Sequence, residues 1–138
     1  TGIVDQDHYF LNKYQEDSGT LNLRISEVYL IYAEAKERLT PGSTVALDRL
    51  NDVRERAGIA RLTAPNDMLE EVFLERRREL AFENSLLFDI KRFKKDINRN
   101  QGCIAAVCNL SYPSNFYILP IPQSSILNNE NMIQNEGY

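Results

Sequence analysis

The chain has 138 residues, of which 43% are hydrophobic and 26% charged, with a formal net charge of −4. That length suits a single domain with a real core, and the composition is that of a globular rather than a disordered chain. The acidic balance argues against nucleic acid and anionic membranes as partners, since both need a concentrated positive field, and no apolar run approaches the roughly 20 residues needed to span a bilayer.

Residue 1 is Thr rather than Met, which points to a chain cut from something longer, so localisation is not readable from these residues. Residues 1–20 are mixed and polar and end in the turn-like Asp17-Ser18-Gly19-Thr20. A helix is predicted over 21–39. Val28, Ile31, Tyr32, Ala35 and Leu39 form one stripe at helical spacing, while Leu23 and Leu30 lie on a second face. A helix apolar on two faces is sandwiched between neighbours. The turn Thr40-Pro41-Gly42-Ser43 leads into a second helix over 44–57, with Ala46, Leu50, Val53 and Ala57 on one side. Gly58 supplies the left-handed residue that stops it.

A third helix is predicted over 67–83, started by Asn66 or Asp67 as cap and by Glu70 and Glu71 at its positive end. A shorter fourth follows around 86–95. After Asn98 the texture changes to Asn, Gly, Ser and Pro. The stretch FYILPIP (116–122) reads as extended chain, an edge strand or a polyproline-like segment, because Pro120 and Pro122 cannot donate ladder hydrogen bonds. The tail over 128–138 is polar, with Met132, Ile133 and Tyr138 as anchors. The fold class is mainly α, with stacked helix pairs, a loop-rich C-terminal segment and little β structure.

Several charges sit where apolar residues belong. On the third helix the stripe is Leu69, Val72, Phe73 and Leu80; Arg76 and Glu83 fall in its middle and Glu79 flanks it. Arg24, Glu27 and Glu34 intrude on the first helix in the same way, and Arg54 on the second. Isolated buried charges are too costly to keep. The expectation is therefore a network in which Arg24, Glu27, Glu34, Arg54, Arg76, Glu79 and Glu83 neutralise one another and key the helices in register, with Arg76 and Glu83 largely buried. The guanidinium fork suits that task. A catalytic reading of these carboxylates needs an open cleft and groups free to titrate; no nucleophile elbow, phosphate loop or HExxH motif accompanies them. The only His, at position 8, and the pair Cys103 and Cys108 make a poor zinc set, since zinc takes four ligands in tight pairs. No metal and no cofactor is expected. The two cysteines read either as small loop residues or as a local disulfide formed in an oxidising compartment. Of two basic clusters, ERRRE (75–79) is balanced by its own glutamates, and KRFKK (91–95) suits the C-terminal end of a helix better than a phosphate backbone.

These helices resemble the SusD/RagB family of outer-membrane nutrient-binding lipoproteins. The resemblance rests on Arg24, Glu27, Tyr29, Leu30, Ala33, Glu34 and Ala35 in the first helix, on LNDVRERAG (50–58), and on ERRRELAFE (75–83) followed by Asp89 and Arg92. It extends to YFLNKY (9–14), LPIPQSSI (119–126) and QNEGY (134–138), nearly the whole chain in order. Asn84 stands where the family often has Gly, Leu86 where an Arg often precedes the Asp, and Glu136 where Pro is frequent.

The resemblance implies a mainly α fold of tetratricopeptide-like helix pairs and adds Asp89 and Arg92 to the ion-pair network. It implies that 1–138 is one domain, the C-terminal portion of a longer lipid-anchored protein on the outer face of the outer membrane. The whole protein would bind an oligosaccharide or related nutrient without chemistry and hand it to a TonB-dependent transporter, touching the membrane only through its lipid. The glycan-binding arc would lie mostly upstream. There is no Trp to serve as a sugar platform; Tyr29 and Tyr32 are expected in the core, and Tyr112 and Tyr117 are the candidates in exposed loops. The alternative is a stand-alone helical adaptor that binds a protein partner in a stacked-helix groove.

Overall fold

The computed structural model describes residues 23–99, 103 and 107–138. His8 and the segment 9–14 lie outside them. The chain divides at Ala64–Pro65 into two compact units, and the described residues are mainly helical.

The first unit is a helical hairpin of α1 (Ile25–Leu39) and α2 (Thr44–Arg56), which pack on one another. The linker is short because its turn is built twice over. Gly42 takes φ +78, a conformation open to Gly. The Glu37 carboxylate accepts from the Gly42 and Ser43 amides at 2.9 and 3.3 Å, and Ser43 caps α2 by accepting from the Ala46 amide. Gly58, at φ +74, ends α2 as expected. Its amide donates to the Glu55 carbonyl and the Ile59 amide to that of Arg54, the paired bonds of a Schellman stop.

The buried side of the hairpin is Leu30 and Ala33 from α1 with Ala46, Leu50 and Val53 from α2. Each of the buried Leu and Val side chains contributes about 1.5–3 kcal/mol. Here the sequence expectation is corrected. The stripe Val28, Ile31, Tyr32 and Leu39 is exposed, and α1 buries the opposite residues Ser26, Leu30, Ala33 and Glu34. Tyr32 is thus not a core residue. A helix apolar on two faces needs two neighbours, and α2 covers one face only. Leu23 and Arg24 precede the helix rather than opening it.

The second unit holds α3 (Met68–Glu79), α4 (Leu86–Arg92), a two-residue antiparallel ladder of β1 (Ile97–Asn98) and β2 (Asn109–Leu110), a single 3₁₀ turn (Asn115–Tyr117) and α5 (Gln123–Leu127). Asp67 caps α3 through the Glu70 amide at 3.0 Å. The predicted third helix ran to 83, but α3 stops at Glu79 because the chain turns sharply over 80–84, with Phe82 and Asn84 at φ +65 and +60. Asn tolerates that left-handed region best after Gly, so Asn84 can hold the turn without a glycine. Lys94, at φ +55, ends α4 in the same manner, so the fourth helix is shorter than the predicted 86–95.

Of the expected extended stretch 116–122, Phe116 and Tyr117 fall in the 3₁₀ turn, and the rest, from Ile118, is extended as the prolines suggested but joins no ladder. The tail replaces the missing strand with side chains. Gln134 accepts from the Ile121 amide at 2.8 Å and donates to the Ile121 carbonyl at 2.9 Å. Asn135 donates to the Leu119 carbonyl and the Tyr138 hydroxyl to that of Ile118. Pro120 and Pro122 have no amide to leave unsatisfied, so the arrangement suits them. The short helix α5 went unpredicted because five residues carry too little periodicity to read.

Candidate functional site

The charges singled out on the helices occupy two different settings. In the first unit Glu34 is buried and accepts from Arg38 Nε at 2.9 Å. Arg54 is buried too, and its Nε and one terminal nitrogen donate to the Ala60 carbonyl at 3.1 and 3.0 Å. Beside it the fully buried Asn51 donates to the Leu62 carbonyl at 3.0 Å and accepts from the Leu62 amide at 2.8 Å. These two side chains fasten the exit segment to α2. In the sequence Asn51 stood only as one letter of LNDVRERAG (50–58), with no role of its own; a polar residue one position beyond the apolar Leu50 was the available signal. Arg24 and Glu27 are half-buried and each is engaged.

In the second unit the centre is Asp89. Its Oδ2 accepts from Arg76 Nε at 2.8 Å and its Oδ1 from Arg92 Nε at 2.9 Å. The Arg76 and Asp89 side chains are 5% and 4% exposed, whereas Arg92 is 39% exposed. Arg76 therefore lies buried on the α3 stripe and reaches across to α4. Glu75, also buried, accepts from Arg78 at 3.0 Å. Glu79 and Glu83 are half-buried, and neither lacks a partner. Glu83 departs from the expectation of deep burial because it falls in the turn after α3, where a side chain no longer follows the helical stripe.

The arrangement is poorly suited to acid–base chemistry. Asp89 sits with both oxygens held by guanidinium groups, and Glu75 has no solvent exposure to speak of. Within the described residues no group of His, Cys, Asp and Glu side chains could hold a metal ion, and no helix is long and apolar enough to cross a membrane. Cys103 and Cys108 form a disulfide, with Cα atoms 5.9 Å apart. In the basic cluster 91–95, Arg92 is committed to Asp89, Lys95 to Glu70, and Phe93 packs on Phe73 with centroids 5.3 Å apart.

The tyrosine candidates separate. Tyr117 is buried, with its hydroxyl 2.8 Å from the Lys95 carbonyl and 3.0 Å from that of Leu110. Burial, aided by the negative charge of Asp96, pushes its phenol above the ordinary value of 10.0. It was expected in an exposed loop and offers no face to a sugar; it is a core residue that ties the ladder to the end of α4. Tyr112 stands edge-on to it, centroids 5.5 Å apart, and is partly exposed. Phe116 and Tyr138, an edge-on pair at 5.4 Å, are about half exposed. Tyr29 is half-buried under the Arg49 guanidinium.

An open cleft of about 460 Å³ also lies in the second unit, between α3, α4 and β1. Its floor is apolar, from Phe73, Leu87, Ile90 and Ile97, and its polar edge carries Arg77, Asp96, Asn98 and Arg99. Sequence reading missed it because its walls come from segments that are not periodic with one another.

The order of these features along the chain, from the buried helical charges to the closing Gln134–Tyr138 clasp, matches one protein family. The sequence profile of the SusD family covers residues 2–138. The chain belongs to the SusD family. Among curated relatives it is 32% identical to a SusD-like protein P2 of Formosa agariphila over 92% of this chain and 27% of that protein. It is 31% identical to the starch-binding protein SusD of Bacteroides thetaiotaomicron, over 83% of this chain and 21% of that one. The fold is similar to that of a SusD superfamily protein from Bacteroides vulgatus, with a TM-score of 0.71 at 34% identity over 84% of this chain and 27% of that structure. It is also similar to a SusD-like carbohydrate binding protein from the same organism, with a TM-score of 0.66 at 27% identity over 80% and 29% of the respective chains. This SusD-family chain thus spans about a quarter of the length of the relatives it matches.

Proposed function

We propose that this chain is the C-terminal portion of a cell-surface carbohydrate-binding protein that captures an oligosaccharide without cleaving it and passes it to a TonB-dependent transporter. The observation that carries the reading is the match to the SusD family across 2–138, with relatives named as starch-binding and carbohydrate-binding. The whole protein would be lipid-anchored on the outer face of the outer membrane. The Cys103–Cys108 disulfide supports an oxidising compartment outside the cytosol. The glycan would be held mainly by residues outside this chain, whose own role is chiefly scaffolding. The exposed stripe Val28, Ile31, Tyr32 and Leu39 supports that assignment, because a further helix laid on it would remove a contiguous apolar face from water.

The test is calorimetry of the full-length protein against a panel of oligosaccharides, followed by product analysis. Binding with unchanged sugar is expected; cleaved product or no binding to any glycan would overturn the reading. The competing reading, a stand-alone helical adaptor, uses the same exposed face as a groove for a protein partner. The sequence immediately upstream of Thr1 separates the two: a lipoprotein leader and further helices support the first, a start codon supports the second.

A further inference from the structure

We propose that the cleft between α3, α4 and β1 is a subsite for an acidic sugar, a uronic-acid unit whose carboxylate is held by Arg77 and Arg99. That the ligand is a sugar rests on the reading above; that it is acidic rests on this cleft.

Two arginines stand apart from the rest. Guanidinium groups elsewhere in the second unit are committed to carboxylates: Arg76 and Arg92 to Asp89, Arg78 to Glu75. Among the described residues, Arg77 and Arg99 have no carboxylate or carbonyl acceptor. Arg77 only lies over the Phe73 ring, 5.9 Å from its centroid. The two come from separate elements, α3 and the residue after β1, yet both border the same cleft. Its volume, about 460 Å³, falls in the range of small-molecule sites. The one carboxylate at the edge, Asp96, already accepts from the Tyr112 amide at 2.7 Å. The edge therefore carries two cations against one anion.

The chemistry of the occupant follows from the two halves of the cleft. Guanidinium forks at one cleft select a planar carboxylate, which either can grip through two N–H groups. The apolar floor suits the C–H face of a pyranose ring rather than a second charge. A uronic-acid ring, with one carboxylate on a pyranose, meets both conditions. The Arg99 backbone is held in place: its amide donates to the Cys108 carbonyl at 3.1 Å and to Asn109 Oδ1 at 3.2 Å, and Cys108 is itself tied to Cys103.

The test is an NMR titration of the isotopically labelled 138-residue chain with trigalacturonate and with its fully methyl-esterified form, which keeps the sugar and removes the charge. The acid is expected to shift amides of 86–90 and 97–99 and to bind at least tenfold tighter than the ester. Arg77→Gln and Arg99→Gln, both exposed side chains whose loss leaves no buried group unpaired, are each expected to weaken the acid about tenfold or more, as for loss of one charge-assisted hydrogen bond, and to leave the ester unchanged. Equal affinity for acid and ester, no binding of the acid, or an unaffected double variant would overturn the proposal. Full-length protein that binds neutral glycans while ignoring trigalacturonate would overturn the acidic subsite alone. Failure to bind any saccharide would overturn the carbohydrate reading with it.

Discussion

Asp89→Asn keeps the shape of a buried side chain and removes its charge, so it isolates what the Arg76–Asp89 pair does. In the native structure each carboxylate oxygen accepts one Nε–H, at 2.8 Å from Arg76 and 2.9 Å from Arg92. The amide offers one acceptor where there were two, and its NH₂ must then face a guanidinium donor. The two legs differ in weight. Arg92 is 39% exposed and water can replace its partner, so that leg contributes about 0–1 kcal/mol. Arg76 is 5% exposed and water cannot replace the lost carboxylate, so removing this buried partner costs about 3–5 kcal/mol. Against a total stability of roughly 5–15 kcal/mol, the single substitution should remove a large share. Urea unfolding at pH 7, followed by far-ultraviolet circular dichroism, should show the midpoint falling with little change in slope. Arg92→Gln should lose less than about 1 kcal/mol. The apolar double variant Arg76→Met/Asp89→Leu should be more stable than Asp89→Asn, because it removes both charges of the buried pair rather than one. A loss below about 1 kcal/mol for Asp89→Asn, or a double variant no better than the single one, would refute the claim that desolvation of Arg76 dominates.

Other perturbations test separate links. Tyr117→Phe should cost about 1–3 kcal/mol in the same assay, since the Lys95 and Leu110 carbonyls lose the hydroxyl they share. Because burial raises the native phenol above its ordinary value of 10.0, the stability this residue contributes is complete below that pH and is lost as pH rises through the raised native value; an alkaline unfolding profile above pH 10 should be flatter in the Phe variant. Gly58→Ala should lose about 1–2 kcal/mol purely through the left-handed conformation, as nothing lies within 4 Å of the added Cβ; a neutral result in thermal unfolding would mean the Schellman stop is not formed. Gln134→Leu should release the Ile121 segment, removing two hydrogen bonds, and hydrogen exchange at Ile121 should accelerate while α1 and α2 stay protected.

The helix-forming stretches, the turn 40–43 that precedes the second, a cap at Asn66 or Asp67 for the third and the stop at Gly58 were legible because capping and left-handed residues act within a few positions of where they are written. The intrusion of Arg76 into the α3 stripe was legible for the same reason: the 3.6-residue period places a side chain on a face whatever the rest of the chain does. Which face of α1 is covered was not. Both were apolar, and only the position of α2 chose Leu30 and Ala33 over Val28 and Ile31. The end of α3 was equally hidden, since ELAFE has good helical character and the turn at Phe82 and Asn84 is imposed by the return of α4 towards Arg76. Tyr117 looked like a loop aromatic until its hydroxyl met carbonyls from 22 and 7 residues away. The cleft edged by Arg77 and Arg99 joins α3 to the residue after β1. Local physics writes itself along the chain, whereas a partner brought from far along it is specified by packing, and packing is a property of the folded whole.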